Sequence, residues 1–391
     1  MKFPDRLTIK LTKREAENTL RTITVSEGKV DFSSNDYLGY AKSKAIHDQV
    51  TLELQAQDGT INGATGSRLI TGSSLQTETL EDNLAKYHEA DSALLYNSGY
   101  DANIGFFSAV PQRGDVIIYD ELIHASIRDG MQMSLAKAYK YTHNDLNSLE
   151  QKIIAAKQSK PEATAIYVVT ESVFSMDGDT PDLKEFVALC FKYQVYPIID
   201  EAHAVGVFGN YGAGLVQEFG LQDKVFARIT TFGKAVGAHG AIVLGSAQLR
   251  TFLINFSRSF IYTTGLPPHS IATIATAYHF LRQGNEQQLL KKNIQFFKQQ
   301  IQVEGIQHLF IVSDSAIQCC LLQGNEKVKA IAKKIQNQGY DVRAILSPTV
   351  PAGAERLRFC IHSYNSKDEI TNVLNLLATF VREYAMQDHD N

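Results

Sequence analysis

The chain has 391 residues, 44% of them hydrophobic and 20% charged, with a formal net charge of −4. That length allows one large core plus a smaller packed unit, and the near-balanced charge, with no Lys/Arg block, gives no electrostatic reason for a nucleic-acid partner. The four cysteines, Cys190, Cys319, Cys320 and Cys360, lie in apolar contexts without metal-ligand spacing, and two are adjacent, which disfavours a disulfide framework and points to a reducing, cytoplasmic setting.

The opening Met1-Lys-Phe-Pro-Asp5 has no apolar signal core, and no run approaches the ~20 apolar residues of a membrane helix, so no membrane partner is expected. Residues 5 to 22 are polar, Lys/Arg-rich and amphipathic, which predicts a helix in an N-terminal arm (1–45) that packs over the rest of the chain. The arm continues into the turn-rich Val30-Asp-Phe-Ser-Ser-Asn-Asp-Tyr-Leu-Gly39. Across a large domain (46–268), helical stretches alternate with short β-branched runs at 93–96, 116–119, 165–170, 196–199, 228–231 and 241–244. Strands separated by helices imply right-handed crossovers and a mostly parallel sheet covered by helices on both faces, an α/β fold. After Leu266-Pro-Pro268 a long helical stretch, 269 to 303, leads into short strands and helices read as a smaller C-terminal α+β domain (269–391).

In open α/β sheets ligands bind beyond the carboxyl ends of the strands, and the chemically able residues fall there. Lys234 sits among small residues in Ile229-Thr-Thr-Phe-Gly-Lys-Ala-Val-Gly237, and Asp200 ends the strand Tyr196-Pro-Ile-Ile-Asp200. A lysine able to lose its proton can form a Schiff base with an aldehyde cofactor, and an aspartate can hold a proton on a heterocyclic nitrogen; together they suggest pyridoxal phosphate. A surface lysine in a Gly-rich loop and a helix-capping aspartate would read the same way in isolation. Ser98-Gly99-Tyr100 follows a strand and opens a helix, a place that favours a phosphate, although a plain Gly turn has the same pattern. His124, just past a strand end, can lie flat on an aromatic ring or be structural. Ser175, in Glu171-Ser-Val-Phe-Ser-Met-Asp-Gly-Asp179, offers a polar contact or a turn. His203 follows Asp200 by three residues, a spacing that lets it reach a ring oxygen beside the nitrogen the aspartate meets, and no Cys/His cluster suits a metal.

In their order and spacing these segments, with Phe32 to Gly39, His124-Ala-Ser126, Asp200-Glu-Ala-His203, Thr231-Phe-Gly-Lys234 and Ser347 to Arg358, resemble the α-oxoamine synthases, fold-type I enzymes that use pyridoxal phosphate. The resemblance covers almost the whole chain. Within the family, the segments around Lys234, Phe32 to Gly39 and Ile261-Tyr-Thr-Thr-Gly-Leu-Pro-Pro268 are most similar to the enzymes that condense L-alanine with a pimeloyl thioester at the start of biotin ring assembly. The resemblance implies Lys234 as the Schiff-base lysine, Asp200 at the pyridinium nitrogen, His203 at the phenolic oxygen and His124 stacked on the ring. It places Ser98, Gly99 and Tyr100 along the cofactor, Ser175 and Thr231 near its oxygen and phosphate, and Arg358 and Asn35 on the amino-acid carboxylate. It also implies Arg21 near the acyl substrate, and a homodimer with shared sites in which Thr263 or Thr264 reaches the partner subunit's phosphate. The chain departs from many relatives where Thr77 and Asn365 replace histidines, which bears on substrate identity. Rival readings are glycine- or serine-using relatives, a fold-type I aminotransferase, and an accessory subunit that has lost the cofactor.

Overall fold

The computed structural model describes residues 2–23, 25, 28–56, 61–159 and 164–389. Its centre is a seven-stranded sheet of β1 (Ser92–Tyr96), β2 (Val116–Asp120), β3 (Lys137–Tyr141), β4 (Ile166–Glu171), β5 (Tyr196–Asp200), β6 (Ala227–Thr231) and β7 (Ala241–Gly245), in the spatial order β1-β7-β6-β5-β4-β2-β3. All neighbours run parallel except around β7, which is antiparallel to β1 and β6. The sheet is therefore mostly parallel, as expected. The strands are apolar on both faces because both are covered: Ile117, Val169 and Ile198 pack into one core cluster, and their strand neighbours Ile118, Val168 and Ile199 into the opposite one.

β3 has no counterpart among the expected strands. Four of its five residues, Lys137-Ala-Tyr-Lys, are exposed, so the run carries no apolar signal. Lysines on an outer strand also discourage edge-to-edge pairing with another sheet.

The C-terminal part adds a three-stranded antiparallel sheet of β8 (Ile317–Leu321), β9 (Arg343–Ile345) and β10 (Arg356–Cys360), with β10 in the middle. Val30–Asp31 pairs in parallel with Tyr340–Asp341, and the Cys360 amide donates to the Phe32 carbonyl at 2.8 Å, so this N-terminal stretch is built onto the C-terminal sheet. One hydrophobic cluster runs from Phe32 and Leu84 through Phe232 and Ile274 to Phe359 and Leu377, joining both ends of the chain.

Two expected helices need correction. The first ends early, as α1 (Asp5–Ala16), because Asn18 adopts a left-handed conformation (φ 51°), with Asn18 N–H bonded to the Glu15 carbonyl and Thr19 N–H to that of Arg14. No residue of α1 is buried; the arm instead touches the C-terminal part at Asn18, whose side chain donates to Glu326 at 2.7 Å. The long stretch after 268 is two helices, Pro268–Gln283 and Glu286–Val303, broken at Gly284, whose backbone turns extended. Among the described residues no helix is long and apolar enough to cross a membrane.

Candidate active site

The parallel strands deliver their last residues to one edge. Glu171 and Asp200 are register partners at the ends of β4 and β5, and Lys234 lies three residues beyond β6. There a cavity of about 180 Å³ is lined by Gly99, Tyr100, Asn103, His124, Ser126, Glu171, Asp200, Ala202, His203, Thr231 and Lys234. The two residues on which the chemical reading rests thus share one space.

Asp200 is 7% exposed. Its Oδ2 accepts from Asn103 Nδ2 at 3.0 Å and its Oδ1 from the Ala202 amide at 2.9 Å, so the carboxylate is fixed from two sides. The other Asn103 N–H reaches Ser126 Oγ at 3.0 Å, and that hydroxyl lies 2.7 Å from His124 Nδ1. The Ser126 amide also donates to His124 Nδ1 at 3.2 Å. A backbone N–H can only donate, so neutral His124 carries its hydrogen on Nε2. Partial desolvation lowers its pKa, with Asp200 opposing and the Lys234 charge acting the same way as desolvation.

Lys234 is lowered by burial, a tendency that Asp200 and Glu171 counter and Arg358 reinforces. Glu171 is raised by burial and by the Asp200 charge, and its Oε1 accepts from the His124 amide at 2.5 Å. Two in-register carboxyls with one lysine cannot all be comfortably charged in a buried space. The geometry therefore favours groups that share and exchange protons.

The C-terminal sheet supplies a second cation. Arg358, on β10, donates from Nε to the Ser175 carbonyl at 2.8 Å, from Nη2 to Asn35 Oδ1 at 2.9 Å and from Nη1 to Cys360 Sγ at 3.0 Å. Burial works against its charge, but the surrounding Cys360, Tyr37 and Cys319 outweigh it and hold the guanidinium above its usual pKa. Tyr37 connects this pair to the cavity: its hydroxyl is 2.8 Å from His203 Nδ1 and 3.1 Å from Asn35 Oδ1. Burial, followed by the Lys234 and Arg358 charges, depresses His203 well below its ordinary value, so its ring is neutral.

The other expected residues divide between the cavity wall and positions outside it. Ser98 is the N-cap of α2 (Gly99–Ala109), accepting from the Asp101 amide at 3.1 Å, and does not line the cavity. Gly99 and Tyr100, which do line it, belong to the first turn of α2, whose N–H groups have no helical partner. Thr231 Oγ1 donates to the Gly240 carbonyl at 3.0 Å. Ser175 engages Arg358 through its carbonyl. Thr263 and Thr264 line a separate small crevice with Asn97 and Arg68, and Asn97 Nδ2 donates to Thr263 Oγ1 at 3.0 Å. Arg21 is exposed after α1, and among the described residues no contact ties it to the cavity. Thr77 and Asn365 have structural partners: Thr77 Oγ1 lies 2.9 Å from Ser74 Oγ, and Asn365 Oδ1 accepts from the His362 amide at 2.8 Å.

Asn103, Glu171 and Tyr37 are the site residues that sequence reasoning did not single out. Glu171 and Tyr37 fall inside segments it quoted and Asn103 three residues beyond one, but what marks them is proximity across the fold.

Residues 27–377 match the family described as aminotransferase class I and II. A protein of Emericella nidulans named 8-amino-7-oxononanoate synthase is 40% identical over 98% of this chain and 97% of its own length. The chain belongs to the class I and II aminotransferase family, among its α-oxoamine synthases. Two solved members of that group have the same fold. Serine palmitoyltransferase from S. paucimobilis, solved with PLP and myriocin bound, is 26% identical with a TM-score of 0.87 and covers 98% of each chain. The 8-amino-7-oxononanoate synthase of Francisella tularensis is 26% identical with a TM-score of 0.77, over 92% of this chain and 99% of that one.

Proposed function

We propose that the protein is a pyridoxal 5'-phosphate-dependent acyltransferase that condenses L-alanine with a pimeloyl thioester, on CoA or a carrier protein, and releases carbon dioxide to give 8-amino-7-oxononanoate. The observation that carries the reading is that Lys234 and Asp200, from adjacent parallel strands, line one cavity with His124 and His203. Further support is the 40% identity to a full-length relative of that name.

The donor set fits the cofactor. Asp200, pinned by Asn103 and the Ala202 amide, suits a protonated ring nitrogen; His203 suits the phenolic oxygen, His124 a ring face, and the first-turn amides of α2 with Thr231 a phosphate. The Asn103 Oδ1 atom is buried without a hydrogen-bond partner among the described residues, which leaves polar capacity beside the same carboxylate. Bound there, pyridoxal phosphate would supply an aldehyde for the amino group and a ring that absorbs the charge left when a Cα–H bond breaks.

The chain's own groups do the rest. Arg358, with Asn35 beside it, holds the amino-acid carboxylate and so orients the Cα–H bond. Lys234 Nζ, lowered by burial, takes the Cα proton and returns one after carbon dioxide leaves. Arg21 serves the acyl substrate. The working unit is a homodimer in which Thr263 or Thr264, set apart from their own protomer's cavity, serve the phosphate of the second copy. Four free, buried cysteines suit a cytoplasmic enzyme.

A serine-using, long-chain acyltransferase is the second reading, favoured by the higher TM-score of the palmitoyltransferase, 0.87 against 0.77. A panel of L-alanine, glycine and L-serine against pimeloyl-, acetyl- and palmitoyl-CoA, read by thiol release, separates them. Release confined to L-alanine with pimeloyl-CoA is expected; preference for L-serine with palmitoyl-CoA overturns the reading.

A further inference from the structure

The run Tyr141-Thr-His-Asn144 at the end of β3 plays no part in the chemistry above, yet its histidine sits between two carboxylates. His143 Nδ1 lies 2.9 Å from Asp120 Oδ1 at the end of β2, and its Nε2 lies 2.8 Å from Asp179 Oδ2 in the segment after β4. Ionised carboxylates only accept, so the ring satisfies both when both nitrogens carry hydrogen. Asn144 doubles each link: its amide donates to Asp120 Oδ2 at 2.9 Å and its side chain to Asp179 Oδ2 at 2.6 Å. The Phe174 ring meets the imidazole edge-on at 4.5 Å.

Asp179 closes a tight loop. Its carbonyl accepts from the Phe174 amide at 3.0 Å, and the Gly178 amide donates to the Phe174 carbonyl at 2.8 Å. The opposite side of this loop meets the C-terminal sheet. The Gly178 carbonyl accepts from Ser313 and Ser315 hydroxyls at 2.7 and 2.9 Å, Asp177 pairs with Arg356, and the Ser175 carbonyl accepts from Arg358 Nε at 2.8 Å. Gly178 (φ +77°) has no room for a side chain, since a Cβ would lie 2.3 Å from the Ile317 carbonyl. One loop thus carries His143 on one side and the carboxylate-binding arginine on the other.

We propose that His143 is a positioning residue, a clasp between Asp120 and Asp179 that fixes the 172–179 loop and, through the Ser175 carbonyl, aims Arg358 at the amino-acid carboxylate. The arginine's ligand rests on the acyltransferase reading; the clasp itself touches neither substrate nor cofactor. Burial opposes a charged ring, but hydrogen bonds and charge attraction from Asp120 and Asp179 outweigh it and lift His143 to about 9. The other groups facing it are Glu121, which accepts from the His143 amide at 3.3 Å and is paired with Lys140, and the buried Tyr141 phenol, which feels the Asp120 charge. A pKa raised above the unfolded value means the clasp is intact at neutral pH and is lost as pH rises through about 9.

The test compares wild-type holoenzyme with His143→Gln, whose amide cannot bridge both carboxylates, for kcat, amino-acid KM, equilibrium amino-acid binding read by cofactor absorbance, and melting temperature, from pH 7 to pH 10. Expected for the variant is a rise of about tenfold in KM and Kd with kcat changed less than about threefold, the pattern of lost substrate positioning. The wild type should show KM climbing above pH 9, and the variant should lack that climb. A lower melting temperature with unchanged KM, or an alkaline climb that persists in the variant, overturns the proposal. Should His143→Gln fail to fold, Asp179→Asn carries the same prediction. If the wild type fails to turn over L-alanine, the functional reading falls and the clasp is judged on binding of whichever amino acid the panel selects.

Discussion

Lys234, half-buried, and Arg358, buried, are two cations beside one site, supplied by two different sheets, and the protein treats them oppositely. Lys234, past the end of a parallel strand, makes no ion pair among the described residues and is pushed toward losing its proton. Arg358, in the middle of an antiparallel sheet, has Nε, Nη1 and Nη2 each tied to an acceptor and is held charged. In the proposed function the group that gives and takes protons is left with few fixed partners, whereas the group that stays charged has each guanidinium nitrogen tied to an acceptor. On the proposed function, the sheet edge supplies reactivity and the smaller sheet supplies orientation.

Substitutions that exchange these properties test the contrast. The largest effect belongs to Lys234→Ala, which on the proposed function removes both a covalent attachment and a proton carrier and should reduce thiol release by at least about 10⁴-fold; steady turnover in that variant would break the contrast outright. Arg358→Lys keeps the charge and loses the fork, so the amino-acid KM should rise about 10- to 100-fold, the equivalent of losing a charge-assisted hydrogen bond of about 1.5–3 kcal/mol. Steady-state kinetics with kcat and KM separated decide this, and an unchanged KM would mean that charge alone suffices.

The smallest effect lies behind the sheet. His88 is fully buried, with Nε2 2.9 Å from the Tyr278 hydroxyl and Nδ1 3.2 Å from the Ala213 carbonyl, and burial, helped by Arg228, lowers it to about 3. Between that value and the unfolded 6.5 the unfolded chain binds the extra proton. Stability should therefore be level above that window and fall as pH drops through it, by at most about 1.4 kcal/mol per pH unit. Urea midpoints at pH 7 and pH 5 should fall further apart in the wild type than in His88→Gln; equal spacings would show that a buried neutral histidine there has no titratable consequence.

Much of this was legible in the order of residues. Ile117, Val168 and Ile198 stand in apolar runs because helices cover both faces, so β2, β4 and β5 announced themselves, and with them the edge on which Asp200 and Lys234 sit. β3 did not, because an outer strand facing water has a polar composition. The break at Gly284 was hidden because the apolar spacing continues on both sides of it. Arg358 was found by resemblance, with Asn35 beside it, yet its bond to the Ser175 carbonyl was not visible, because that partner is 183 positions away. Asn103, Glu171 and Tyr37 escaped for the same reason: a buried asparagine bracing a carboxylate looks, in sequence, like any asparagine in a helix.

The apolar cluster that reaches from Phe32 to Leu377 has a consequence for how the molecule comes apart. Neither sheet owns it, so cutting the chain near 268 would strip one wall from the oil shared by both and leave two insoluble fragments. Any hinge between the halves is restricted to movements small enough to keep that shared interior dry.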